Sequence, residues 1–183
     1  MNNSVETFYN TFLLLDEIKR TGWVISNIPE QDISTVADHT LQVVMLASTL
    51  CHELDLNYDI GKMLQMCFIH DIGEIVIGDV ALVDEDYEIK KKNEKNGVAK
   101  MLEPLSEKTR NYYLDLWVEL NERETDIAKF VHQIDKLDAV MRAKKYADVY
   151  NRPELFDEFY NRQVEDKTFN GSVLETFFNK LKD

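Results

Sequence analysis

Met63-Leu64-Gln65-Met66-Cys67-Phe68-Ile69-His70-Asp71-Ile72-Gly73-Glu74 is the stretch on which the reading of this chain turns. Its first seven residues are apolar nearly all round, the pattern of a helix buried at the centre of a protein. The spacing predicts that helix over Asp59 to Asp71. Working outward, apolar residues recur at helical intervals and there is no sustained apolar/polar alternation. Gly (six) and Pro (three) are scarce, so little interrupts this pattern. The expected fold class is all-α.

Toward the N-terminus, a helix is predicted from Ser4 to Arg20 (Phe8, Phe12, Leu15 and Ile18 on one side). An irregular stretch from Gly22 through Asp32 follows, then a helix over Ser34 to Leu54 with the stripe Val36, Val43, Leu46 and Leu50. Toward the C-terminus, Ile75 to Val80 reads as a loop with a short helical turn. Helices follow over Glu85 to Leu102, Ser106 to Asn121 (Tyr112, Tyr113, Leu116, Trp117 and Leu120 inward) and Glu124 to Tyr150 (Phe130, Ile134, Leu137 and Met141 as its stripe). Two more cover Pro153 to Arg162 and Ser172 to Lys182.

The chain has 183 residues, most simply one domain at roughly 100 to 200 residues each. With 44% hydrophobic and 30% charged residues it has a globular balance. Its formal charge of −13 disfavours nucleic acid as a partner. Any phosphate it binds must be held by a few placed residues or a metal. Two cysteines inside apolar patterns, no signal-peptide pattern and no long apolar stretch point to a cytoplasmic protein without a membrane span.

His70-Asp71 places an ionisable pair directly after the apolar run. Burying an unpaired carboxylate costs several kcal/mol, so the pair requires a partner, a proton or a metal. Cys67, His70, Asp71 and Glu74 fall at i, i+3, i+4 and i+7 and share one helix face. A plainer reading is a helix C-terminus breaking the surface, with His70 on the terminal carbonyls and Asp71 in water. His39 interrupts the stripe of the preceding helix, where a lone histidine is ordinarily a hydrogen-bonded core residue. Asp135 lies beside the stripe of the long helix. Together, two imidazoles and two carboxylates form a donor set that suits Mn²⁺, Fe²⁺, Co²⁺, Ni²⁺ or Zn²⁺. Six-coordination would leave two positions for water and substrate, as catalysis requires.

The order His39, His70-Asp71, Asp135 on successive helices resembles the H…HD…D signature of HD-domain metal-dependent phosphohydrolases. Arg20-Thr21-Gly22-Trp23-Val24, Asp38-His39, His70-Asp71-Ile72-Gly73-Glu74 and Gly78-Asp79 further resemble the small 5'-deoxynucleotidase branch. The similarity runs from about Arg20 to Arg142, with the C-terminal helices expected to pack on that core. It implies an all-α single-domain bundle and one divalent metal ion held by His39, His70, Asp71 and Asp135. Glu74 would be the general acid/base, Asp79 a further catalytic-site residue, and Trp23 a wall near the nucleoside. The chain departs from the family beside the tryptophan, where Gly22 precedes it and Ser26-Asn27 replaces Arg-Asn. Arg20 is then the nearest basic residue for substrate, though it also reads as a cation near the first helix's C-terminus. His52 and His132 read as surface or supporting residues, and Asp138 as orienting the site or facing solvent.

The implied reaction is removal of the 5'-phosphate from (deoxy)nucleoside monophosphates. Two alternatives stand beside it: an HD phosphohydrolase of cyclic dinucleotides, triphosphates or alarmones, and a non-catalytic, metal-stabilised helical interaction module. Glu74 and Asp79 argue against the latter, since a structural site needs no proton-transfer residue. The resemblance also suggests a homodimer. Phe156, Phe159, Tyr160, Phe177 and Phe178 could supply apolar contact area to it or belong to the core.

Overall fold

The computed structural model describes residues 2–79 and 87–182. Among the described residues every regular element is helical, as expected. The α-helices are α1 (Asn2–Phe12), α2 (Thr21–Ile25), α3 (Val36–Glu53), α4 (Ile60–Ile69), α5 (Glu74–Ile77), α6 (Tyr87–Leu102), α7 (Glu107–Glu122), α8 (Asp126–Tyr150), α9 (Pro153–Glu165) and α10 (Glu175–Asn179).

Local chemistry sets where these helices start. Thr35 and Asp38 form a reciprocal capping box on α3, Asp59 accepts from the Lys62 amide to start α4, and Ser106 and Thr125 cap α7 and α8. At 25 residues, α8 spans about 37 Å. It packs against α3, α4, α7 and α9. Its Phe130, Val131, Ile134, Leu137 and Val140 are buried among Val43, Ala47, Met63, Met66 and Cys67 of α3 and α4. A smaller cluster joins Trp23, Ile28 and Ile33 to Tyr146, Ala147 and Leu155.

The predicted elements hold in outline and differ in detail. The first helix ends at Phe12, followed by a 3-10 turn over Leu13–Asp16 and an antiparallel bridge between Lys19 and Thr35. That bridge is a tertiary pairing, invisible to helical periodicity. It carries Arg20 to the foot of α3, where its amide donates to Ser34. The irregular stretch after Arg20 holds the short α2 and a 3-10 turn over Glu30–Asp32. α4 is not buried all round: Met63, Met66, Cys67 and Ile69 face inward, while Phe68 is 46% exposed. Tyr112, expected inward, is 48% exposed and hydrogen-bonds Gln65; Met141 likewise reaches the surface. The last predicted helix shortens to α10 plus a 3-10 turn over Lys180–Lys182. α5 supplies the short helical turn expected after Gly73. Val80, Glu85 and Asp86 lie outside the described residues. Tyr160 and Phe178 are buried in the core, with Phe156, Phe159 and Phe177 packed against it.

Two glycines bring α6 against the chain just before α5. A Cβ on Gly97 would lie 2.6 Å from the Gly73 carbonyl oxygen, and one on Gly73 would lie 2.9 Å from the Glu94 carbonyl oxygen. Both obstacles are backbone atoms, so no rotamer change relieves them. Because Gly73 precedes Glu74, this contact also places the start of α5. Gly97→Ala is therefore expected to destabilise the fold by about 1–3 kcal/mol, as overpacking does, despite alanine's better helix propensity. Chemical denaturation checks this; equal or greater stability would show that the two segments can separate without cost.

Candidate functional site

His39 is carried by the first turn of α3, His70 by the end of α4 and Asp135 by α8, three helices held together by the main core. One potential ligand atom from each of His39, His70 and Asp135 lies within 4.8 Å of the others. Asp71 joins them, its Oδ2 being 3.1 Å from His70 Nε2 and 3.5 Å from His39 Nε2. The four residues that the H…HD…D pattern selects thus meet at one place.

The hydrogen bonds around the imidazoles orient both rings. His39 Nδ1 lies 2.7 Å from Asp138 Oδ2, and His70 Nδ1 lies 2.7 Å from the Cys67 carbonyl oxygen. Both partners only accept, so Nδ1 must donate in each case, and each Nε2 is turned inward. The two Nε2 atoms are 3.1 Å apart, and Asp135 Oδ1 is 3.1 Å from His39 Nε2. Lone pairs and carboxylate oxygens at such distances repel unless a proton or cation lies among them. Two imidazole nitrogens and two carboxylates converging in this way suit a divalent metal ion. Asp138, one turn beyond Asp135, therefore orients His39 rather than facing solvent.

Titration behaviour follows from this crowding. Burial alone would lower the His70 pKa, but Asp71 and then Asp135 outweigh it and raise it to about 9. Burial opposes ionisation of Asp71 and Asp135 too, yet His70 and Arg20 for the former, and Lys136 and His39 for the latter, hold both below the usual carboxylate range. Cys67, on the same face of α4, is a buried thiol pushed up to about 12, chiefly by desolvation, and so stays neutral.

Beside this cluster stand Glu74, at the first turn of α5, and Asp79. Arg20 NH1 lies 3.1 Å from Asp71 Oδ2, 3.5 Å from Asp79 Oδ1 and 3.8 Å from Glu74 Oε2. Asp79 also accepts from the Thr21 amide at 2.6 Å, while the Thr21 hydroxyl donates to the Asp79 carbonyl. Among the described residues, Glu74 Oε2 is buried without a hydrogen-bond partner. Burial first, then the Asp71 and Asp79 carboxylates, raise the Glu74 pKa well above its ordinary value despite Arg20. Glu74 therefore binds a proton more tightly than an ordinary carboxylate does.

These groups line a cavity of about 260 Å³. Trp23 lines it too, but is only 4% exposed. Its ring stacks on Phe159 at 4.6 Å and meets Tyr146 edge-on at 5.1 Å, so it is both wall and core. His52 is away from the site, bonded to the Ser48 carbonyl, whereas His132 lines the cavity. Sequence reasoning missed Phe159, Arg123 and Lys136, which line it as well. Only Lys136 carried a signal, its place next to Asp135.

Residues 14–171 match the sequence profile of a family described as HD domain. The chain is 29% identical over 148 residues to 5'-deoxynucleotidase HDDC2 of Mus musculus, covering 80% of this chain and 72% of that protein. It is 30% identical over 152 residues to 5'-deoxynucleotidase HDDC2 of Dictyostelium discoideum, covering 80% and 78%. Among solved structures, a conserved hypothetical protein of Pyrococcus furiosus superimposes with a TM-score of 0.74 at 26% identity, covering 96% of this chain and 95% of that one.

The raised His70 pKa has a consequence for stability. A histidine with pKa 6.5 unfolded and about 9 folded contributes fully below pH 6.5, and its contribution is lost as pH rises through 9. The total is on the order of 3 kcal/mol. Glu74, also raised, binds its proton more tightly when folded, so its shift likewise lowers stability with rising pH. Chelator-treated, metal-free protein should therefore lose stability between about pH 6.5 and 9, measured as Tm across that range. A flat or rising Tm would contradict this account of the cluster.

Proposed function

The chain belongs to the HD domain family, and from that premise we propose how it works: it is a metal-dependent phosphohydrolase that removes the 5'-phosphate of deoxynucleoside monophosphates, as its relatives' names indicate. The observation that carries this reading is the inward meeting of His39 and His70 Nε2 atoms at 3.1 Å among carboxylates, next to the buried carboxyl of Glu74. His39, His70, Asp71 and Asp135 would hold one divalent ion, with Mn²⁺, Co²⁺, Fe²⁺, Ni²⁺ and Zn²⁺ all compatible with the donors. Such an ion, when bound, lowers the pKa of water and neutralises phosphate charge.

The chain's own residues then supply position and protons. Glu74 delivers its proton to the departing nucleoside oxygen and recovers one from the attacking water. Arg20 holds Asp71, Glu74 and Asp79 in fixed relation, and Asp79 in turn ties the start of α2 to the site. Arg20 and Trp23 are assigned to the substrate-binding wall, Trp23 offering ring surface that reads no base edge. Broad base tolerance follows. Glu74 Oε2, buried and without a hydrogen bond among the described residues, argues against a purely structural metal module, because such a carboxyl costs stability without serving that role.

Among the described residues no helix is long and apolar enough to cross a membrane. Both cysteines are free and buried, which accords with the reducing cytoplasm as the compartment. A homodimer is part of the same proposal: Leu41 and Met45, one turn apart on α3, are each more than half exposed and are surface a second copy would cover.

Phosphate release from a panel of nucleoside mono-, di- and triphosphates and cyclic nucleotides, each with the five metals, tests the reading. 5'-Deoxynucleoside monophosphates are expected to turn over fastest. Faster hydrolysis of triphosphates or cyclic nucleotides would reassign the substrate within the phosphohydrolases, and no release with any metal would favour the interaction module. Glu74→Gln is expected to retain metal and fold while kcat drops about 10²- to 10⁴-fold. Near-normal turnover in that variant at full metal content would move the proton-transfer role to Asp79.

A further inference from the structure

The cavity has a second wall that the mechanism above does not use. Arg123, His132 and Lys136 line it. His132 and Lys136 are one turn apart on α8 and share a face. Arg123 ends α7 with its backbone in the left-handed region (φ 54°), just before the turn into α8. Lys136 Nζ lies 2.9 Å from Asp135 Oδ2, so this wall adjoins the His/Asp cluster directly.

Among the described residues, neither the Arg123 guanidinium nor the His132 ring has a hydrogen-bond or ion-pair partner. Their surroundings are positive. Burial first, then Lys136 and Arg123, lower the His132 pKa to about 4, which leaves the imidazole neutral with an N–H to donate. Arg123, exposed where it lines the cavity, is thus a cation with no carboxylate partner among the described residues, while Lys136 is held beside it by Asp135. The contrast with Arg20 is sharp, since that side chain is already shared among three carboxylates. The cavity thus has a carboxylate-rich side around Arg20 and a donor-rich side around Lys136, with the cluster between.

We propose that Arg123, His132 and Lys136 form the seat for the substrate's terminal phosphate, so that a nucleoside monophosphate lies with its phosphate against α8 and its nucleoside toward Trp23 and Phe159. The seat rests on the hydrolase reading and names the phosphate-binding residues of that same site. A lysine ammonium, an arginine fork and a neutral imidazole N–H provide hydrogen-bond donors for the phosphate oxygens, and charge-assisted bonds of this kind are the strong ones.

Calorimetric titration with inorganic phosphate tests the seat. Wild type, Arg123→Gln, Lys136→Met and His132→Asn are compared as Mn²⁺-loaded proteins, with metal content per chain measured and 2'-deoxyadenosine titrated in parallel. The expected result is a Kd for phosphate about tenfold weaker in Arg123→Gln and at least as much weaker in Lys136→Met, with deoxyadenosine binding within twofold. Added salt should weaken phosphate binding less in the charge-removed variants than in wild type. Arg123→Gln touches none of the four proposed metal ligands and decides the matter if Lys136→Met alters metal content. Phosphate Kd values within twofold of wild type at full metal content would overturn the seat, as would loss of deoxyadenosine binding instead. The seat and the hydrolase reading fail separately: a wild type that binds phosphate through these residues but releases none from any nucleotide defeats only the latter.

Discussion

Two buried imidazole nitrogens 3.1 Å apart are the constraint around which this protein is organised. Each is the ring nitrogen left over once Asp138 and the Cys67 carbonyl have claimed the other, so neither can turn away without leaving that partner unsatisfied. Three helices, α3, α4 and α8, must hold their relative positions for the two to meet. The main core joins those helices through Val43, Met63, Cys67 and Ile134. Packing thus enforces an electrostatic arrangement that would otherwise relax, the usual cost of a pre-organised site.

The charges around this point are graded rather than merely paired. His70, raised by Asp71, holds a cation's place with its own proton, while Asp71 and Asp135 stay ionised. Glu74 is a carboxyl only a short distance away, yet its burial and its acidic neighbours push it in the opposite direction. Carboxyls whose surroundings drive their proton affinities apart are what acid/base chemistry requires at neutral pH. Arg20 keeps the three nearest carboxylates from dispersing, and it reaches them only because the Lys19–Thr35 bridge turns the chain back onto α3.

Substrate geometry follows from the same layout. The cavity is bounded on one side by Trp23 stacked on Phe159, a rigid apolar surface backed by Tyr146, and on another by the donors of α7 and α8. A chain of net charge −13 repels long polyanions and still offers one small phosphate a locally positive seat. Overall charge and site charge act over different distances, and screening separates them.

The sequence by itself determined the fold class, the helix order and the four residues that meet at the centre. Each of these is written in short-range spacing: helical periodicity and ionisable groups interrupting apolar stripes at His39 and His70-Asp71. The resemblance to HD-domain phosphohydrolases added roles to Glu74 and Asp79, which spacing alone left open. Tertiary structure decided the rest. Arg20 proved to be shared among carboxylates, Trp23 proved to be part of the core, and Phe68 and Tyr112 face water where periodicity placed them inside. Asp138 acquired its partner His39 from across the fold, and Arg123, His132 and Lys136 acquired a common wall. These outcomes depend on distances between residues far apart in the chain, which the helix-by-helix pattern does not encode and which only packing of one helix against another sets.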